Sequence, residues 1–192
     1  MPSSGLLYVR RWRLGRQALA ALLCALLWIA TPLRLYDVPA RDGVQGALWP
    51  IVPALFAAFL PSVLATAAEV QERITPTATR LRATTTALVL TLAAALALTG
   101  ATNDPAVAFR NTLLLTGLAF SGSCLLPPAA AWTPPVATPM IMWLIGTKPQ
   151  AQVEPWSLLL LPGDVRYAWA TTALVTTTAL TAYLLRGPRR LG

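Results

Sequence analysis

The sequence predicts an all-α integral membrane protein of about six transmembrane helices, with both termini cytoplasmic and a short re-entrant or interfacial outer segment before the last helix. Three observations carry this prediction. Hydrophobic residues make up 56% of the chain and charged residues 11%, with a mean hydropathy of +0.59, far from the mix of a soluble globular domain. Apolar runs near the length of about 20 residues needed for a helical span recur along the chain. The basic residues gather beside those runs, where they act as topology signals. At 192 residues there is room for about six spans and their loops. Residues 1–192 are therefore expected to form a single transmembrane domain, with a basic interfacial segment at 1–16, a cytoplasmic loop at 69–80 and an outer interfacial segment at 149–165.

The first run, Ala18 to Pro32, is short, but Arg16 and Arg34 can snorkel and extend its reach to about 27 Å at 1.5 Å per residue. Arg10, Arg11, Arg13 and Arg16, with Tyr8 and Trp12, precede it and mark the cytoplasmic side. The same pattern fits a secretory signal peptide cleaved near Asp37 to Ala40. Because the run is long for such a segment and the site lies late, an uncleaved helix is expected.

The second run, Gly46 to Ala68, contains Pro50, Pro53 and Pro61, each without a backbone donor, and predicts a kinked helix. The third extends from about Pro76 to Gly100, with Thr75 as N-cap and Pro76 in the first helical position. The fourth covers Val107 to Leu126, with Arg110 near its outer end expected to snorkel to the interface. The fifth, Ala129 to Ile145, carries Trp132 and Trp143 as interfacial anchors. Its prolines leave open a re-entrant hairpin at 127–139.

The apolar stretch Val153 to Asp164 is too short to cross. Pro155 is expected to open an interfacial turn of helix, Pro162-Gly163 to end it, and Asp164 to cap the sixth span. That span, Tyr167 to Leu185, is followed by Arg186, Arg189 and Arg190, again a cytoplasmic signal. Two cytoplasmic ends require an even number of crossings, which favours six over five. Arg10, Arg11, Arg13, Arg16, Arg73, Arg80, Arg82, Arg186, Arg189 and Arg190 then lie inside, and Arg34, Arg41, Arg110, Lys148 and Arg166 outside. This is the bias the positive-inside rule requires.

Several function classes are disfavoured. The net charge of +8 does not form a basic stripe interleaved with aromatics, so nucleic acid is not an expected partner. Cys24 and Cys124 lie in apolar runs and behave as small buried hydrophobes. With no His in the chain, no metal site is expected, and Ser-His-Asp chemistry is excluded. The stretch Phe120 to Cys124, FSGSC, resembles a serine-protease loop, but Ser121 and Ser123 have no base to activate them. No enzymatic activity, catalytic residue or cofactor is expected. No Asp, Glu or Lys falls in the centre of a proposed span, which argues against a stand-alone proton-coupled transporter.

What remains is polar in two ways. Threonines are plentiful in the spans, and Thr84, Thr85, Thr91, Thr172 and Thr176 offer a candidate substrate path. Close helix packing explains part of the same pattern, since Ala168, Thr172 and Thr176 recur at four-residue spacing, as do Gly117 and Ser121. The second feature is the charged stretch AAEVQERITPTATRLRATTT at residues 67–86, the only substantial cytoplasmic loop. Glu69 and Arg73 stand in the favourable i, i+4 order of a helical turn continuing the second span.

This layout of a basic N-terminal segment, six helices, a charged connection between helices two and three and a membrane-returning outer segment resembles the permease subunits of ABC-2 type exporters. The resemblance implies a cytoplasmic-membrane protein powered by a separate ATP-binding subunit, with Glu69, Glu72, Arg73 and Arg80 in the docking element. Consistently, the chain has no Gly-x-x-x-x-Gly-Lys-Ser/Thr phosphate loop. The alternative is a non-catalytic accessory subunit of a larger membrane complex. Membrane lipid is an expected partner in either case, and a homodimer or hetero-oligomer is compatible with both. Arg outnumbers Lys fourteen to one, with abundant Ala and Pro, a usage that resembles the codon bias of a GC-rich bacterial genome and hints at source only; with the apolar spans, the expected location is the bacterial inner membrane, multi-pass.

Overall fold

The computed structural model describes residues 14–31, 34–71, 78–100 and 104–189; for Leu14, 66–71, 78, 81 and 151 it describes the backbone alone. The fold is mostly helical. Its described α-helices are α1 (Leu14–Ala30), α2 (Pro53–Gln71), α3 (Ala78–Gly100), α4 (Pro105–Leu125), α5 (Thr133–Gly146) and α6 (Arg166–Arg186). Two of them, α3 over Arg82–Gly100 and α6, are long and apolar enough to cross a membrane.

The helices alternate in direction between a capped end and an open end. Trp28 near the end of α1 donates from Nε1 to the carbonyl of Trp49, just before α2, at 2.7 Å. The same indole covers Gly100, the last residue of α3, where a Cβ would lie 2.6 Å from the ring. Asp104, before α4, stands against Gly163, and Trp169 in the first turn of α6 donates to the Gly163 carbonyl at 2.8 Å. The C-terminus of α5 reaches this end too, through bonds from Arg41 described below. At the open end, Arg82 near the start of α3 donates to the carbonyls of Leu184 and Leu185 in the last turn of α6.

Helix α4 is central and packs against α2, α3, α5 and α6. Its start is legible: Asp104 is the N-cap, its Oδ1 accepting from Val107 N at 3.0 Å, and Pro105 fills the first position where no donor is needed. Around it the core is apolar and filled, with Phe56, Leu60, Leu64, Leu115, Phe120 and Tyr183 all buried. The outward faces are apolar as well: Leu19, Leu22, Leu26 and Ile29 of α1, Leu98 of α3 and Leu174 of α6 are all more than half exposed.

Several boundaries differ from the sequence expectation. Gly46 and Ala47, expected in the second helix, form strand β2 (Gln45–Ala47), paired antiparallel with β1 (Leu35–Asp37) in the register Tyr36 opposite Gly46. A 3₁₀ turn at Trp49–Ile51 follows, so Pro50 and Pro53 lie at helix starts and only Pro61 is inside α2. Proline is tolerated at those starts because the first-turn donors have no intrahelical acceptor.

Helix α5 begins four residues later than expected, since Pro127 to Trp132 form turns and Pro134 and Pro135 occupy its first turn. Its 14 residues span about 21 Å. Asp164 does not cap α6; the N-cap is Val165, with no side-chain bond. Thr75 and Pro76, the expected start of the third helix, lie outside the described residues.

Candidate functional site

The capped end is built around two adjacent residues one turn inside α4. Arg110 and Asn111 are both fully buried. Arg110 donates from Nη2 to Leu161 O at 2.7 Å, from Nη1 to Pro162 O at 2.8 Å and from Nε to Asn111 Oδ1 at 3.1 Å. The Asn111 amide then donates to Leu159 O at 2.6 Å and Pro50 O at 2.9 Å. One side-chain pair thus satisfies carbonyls from two irregular segments, whose buried acceptors would otherwise cost free energy.

Arg110 therefore does not snorkel. It faces inward because the segment 157–162 folds down over α4 and offers carbonyls that compensate for its desolvation. That segment also departs from the expected interfacial helix opened by Pro155: residues 154–165 form turns, and Leu159 is buried in the main core.

Arg41 is the second clamp. From the hairpin turn, its Nη1 donates to Thr147 O at 2.6 Å, Leu144 O at 3.0 Å and Ile145 O at 3.3 Å. These are the carbonyls at the end of α5, where a cation is also favoured by the helix dipole. Beneath the hairpin, Trp143 is buried with Val38 and Val44. It is not an exposed anchor, whereas Trp132 at the other end of α5 is exposed. Gly46 permits this packing, because a Cβ there would come 2.8 Å from Trp143 Nε1.

The described charged side chains at the open end are basic. Arg80 is exposed, and Arg82 is nearly buried under Gly187, which has a left-handed φ of +75° and no room for a Cβ beside the guanidinium. Arg189 donates from its backbone to Ser123 O at 2.8 Å and from Nη1 to Leu125 O at 2.6 Å. Of the expected docking residues, Glu69 lies in the last turns of α2 with only its backbone described, and Glu72 and Arg73 lie outside the described residues.

The five candidate path threonines divide into two sets. Thr84 and Thr91 are exposed and donate to their own helix, at Arg80 O and Ala87 O, each at 2.9 Å. Thr85, Thr172 and Thr176 are buried. Thr172 and Thr176 lie on the α6 face turned to α4, and Thr176 donates to Leu113 O at 3.1 Å. Ser123 likewise bonds its own helix at Ala119 O, 2.8 Å away.

Among the described residues, two grooves open sideways between helices. One, of about 230 Å³, lies between α3 and α4 and is lined by Ala93, Ala97, Phe109 and Leu113. The other, of about 580 Å³, lies between α4 and α6 near the open end. It has Ala179 and Ala182 on one wall, the hydroxyls of Ser121, Thr178 and Thr181, and Arg186 at its end.

The Arg110–Asn111 clamp was not legible from spacing. The signal available was Asn111 itself, an amide one turn inside an apolar helix and next to a cation, which requires buried acceptors. No protein-family model, curated protein or solved structure matches the chain.

Proposed function

We propose that this chain is a six-span subunit of a bacterial inner membrane, the permease of an ABC-type exporter driven by a separate ATPase chain. The capped end faces outward and the open end faces the cytoplasm. The observation that carries the reading is the asymmetry between the two ends of an apolar-surfaced bundle. The described charged side chains toward the open end, Arg16, Arg80, Arg82, Arg186 and Arg189, are all basic. At the capped end Asp37, Asp42, Asp104, Glu154 and Asp164 balance Arg34, Arg41, Arg110, Lys148 and Arg166. Such a bias sets orientation in a bilayer. Alternating helices and outward-facing leucines fit the same environment, since an exposed apolar surface this extensive needs lipid or a partner to cover it.

In this reading α2 carries Glu69 beyond the bundle core into a cytoplasmic element completed by Glu72, Arg73 and Arg80, the docking place for the ATPase. Glu69 and Glu72 are its anchors, because acidic residues are otherwise rare on this side. Affinity purification in mild detergent tests it: the wild-type chain should retain an ATPase and stimulate its turnover, and the double substitution E69K/E72K should lose both while still inserting. Unchanged binding in the double variant would remove the docking role.

A second reading, a non-catalytic accessory subunit of a larger membrane complex, is favoured by the filled apolar core between Phe56, Leu115, Phe120 and Tyr183. In that case the wild-type chain co-purifies with a multi-subunit assembly and recruits no ATPase.

A further inference from the structure

We infer that the groove between α4 and α6 is a binding site for one anionic phospholipid, its phosphate held by Arg186 and an acyl chain lying along the groove toward Ala179. The inference rests on the membrane reading above but not on the ATPase.

The volume of about 580 Å³ falls in the range of about 300–1,000 Å³ typical of small-molecule sites. Its shape is a furrow open to the side, so in a bilayer its occupant enters laterally from the lipid. Leu125, Ala179, Ala182 and Leu185 give the furrow an apolar lining, with Ser121, Thr178 and Thr181 set between them. Arg186 lines it at the open end, in the last turn of α6.

Charge selects the headgroup. Around this end the described charged side chains are basic, yet Arg82 and Arg189 already donate to the carbonyls of Leu184, Leu185 and Leu125. Arg186 is exposed, and among the described residues no hydrogen bond or ion pair engages its guanidinium fork. A phosphate diester is a bidentate match for that fork. In a two-fold dimer formed through this groove, each copy's Arg186 would face the other's, and like charges oppose that association.

Native mass spectrometry of the full chain, released from detergent with equimolar dioleoyl phosphatidylglycerol and dioleoyl phosphatidylcholine, tests the site. The wild type should retain phosphatidylglycerol about fivefold over phosphatidylcholine, the bias one surface arginine provides. R186Q should bring the two lipids to parity, R186K should keep the bias, and R34Q at the capped end should leave it unchanged. S121W, which fills the furrow, should reduce both adducts while the helical circular dichroism stays constant, and it carries the test if R186Q does not fold. Equal retention by the wild type, an undiminished bias in R186Q, or a lipid-free dimer would overturn the site. A chain recovered from the soluble fraction would instead overturn the membrane reading itself.

Discussion

Thr176 occupies the space that any side chain at Gly117 would need. A Cβ at Gly117 would lie 2.7 Å from Thr176 Oγ1 and 2.9 Å from its Cα, while Thr176 donates across the same crossing to Leu113 O at 3.1 Å. The missing side chain lets α4 and α6 approach until a side-chain hydroxyl reaches the backbone of the neighbouring helix, the small-residue packing that membrane helices use in place of a hydrophobic driving force. G117L should therefore force the pair apart and lower the melting temperature in detergent, at a cost of about 1–3 kcal/mol for overpacking. T176V should cost less, about 0.6 kcal/mol for a lost interhelical bond.

Under the permease reading, Thr172 separates packing from transport. Its hydroxyl is buried without a hydrogen-bond partner among the described residues, so T172V removes an unsatisfied polar atom at nearly constant volume. The variant should be stabilised by about 1 kcal/mol, read as a raised melting temperature, with transport unchanged. Loss of transport in a stable T172V protein would instead place this hydroxyl on the substrate path.

Removal of the Arg110 guanidinium strips donors from the carbonyls of Leu161 and Pro162 and from Asn111 Oδ1. R110M should destabilise the protein by about 3 kcal/mol or more, as each buried acceptor left unsatisfied costs about 1–3 kcal/mol. Hydrogen exchange should quicken first across 157–163. A surface-snorkelling arginine would tolerate the same change with little loss.

At Arg41 the effect should be local. R41Q removes the cation from the last carbonyls of α5, worth up to about 2 kcal/mol in a partly buried site. Exchange should rise in 35–47 and 144–148 while the core of α4 keeps its protection. Uniform loosening of the whole chain would show that the hairpin is not an independent clamp.

The helices were legible because long apolar runs with basic flanks leave few alternatives, and Arg186 marks the end of α6, whereas the Asp104-Pro105 start of α4, ordinary boundary chemistry, was passed over for Val107. The capped end was less so. Asp42-Gly43 is a turn signal between two short polar stretches, yet the strands it joins are only three residues each, too short for a clear alternation. Arg41 holds them through the carbonyls at the end of α5 and Trp143 through its packing on Val38 and Val44, partners about a hundred positions apart in sequence that only the fold brings together. Among the threonines, composition could not distinguish Thr84, which bonds its own helix, from Thr176, which bonds another. Both patterns satisfy the hydroxyl, and only the helix orientation decides between them.

Orientation across the membrane is the point on which the account stands, and cysteine labelling in the full chain measures it directly. In a C24A/C124A background, single cysteines T77C and Q152C are treated with a membrane-impermeant maleimide before and after lysis. The account predicts that Q152C reacts in intact cells with the outer barrier opened, and that T77C reacts only once the inner membrane is broken. Labelling of T77C from outside, or recovery of the chain in the soluble fraction, would contradict it.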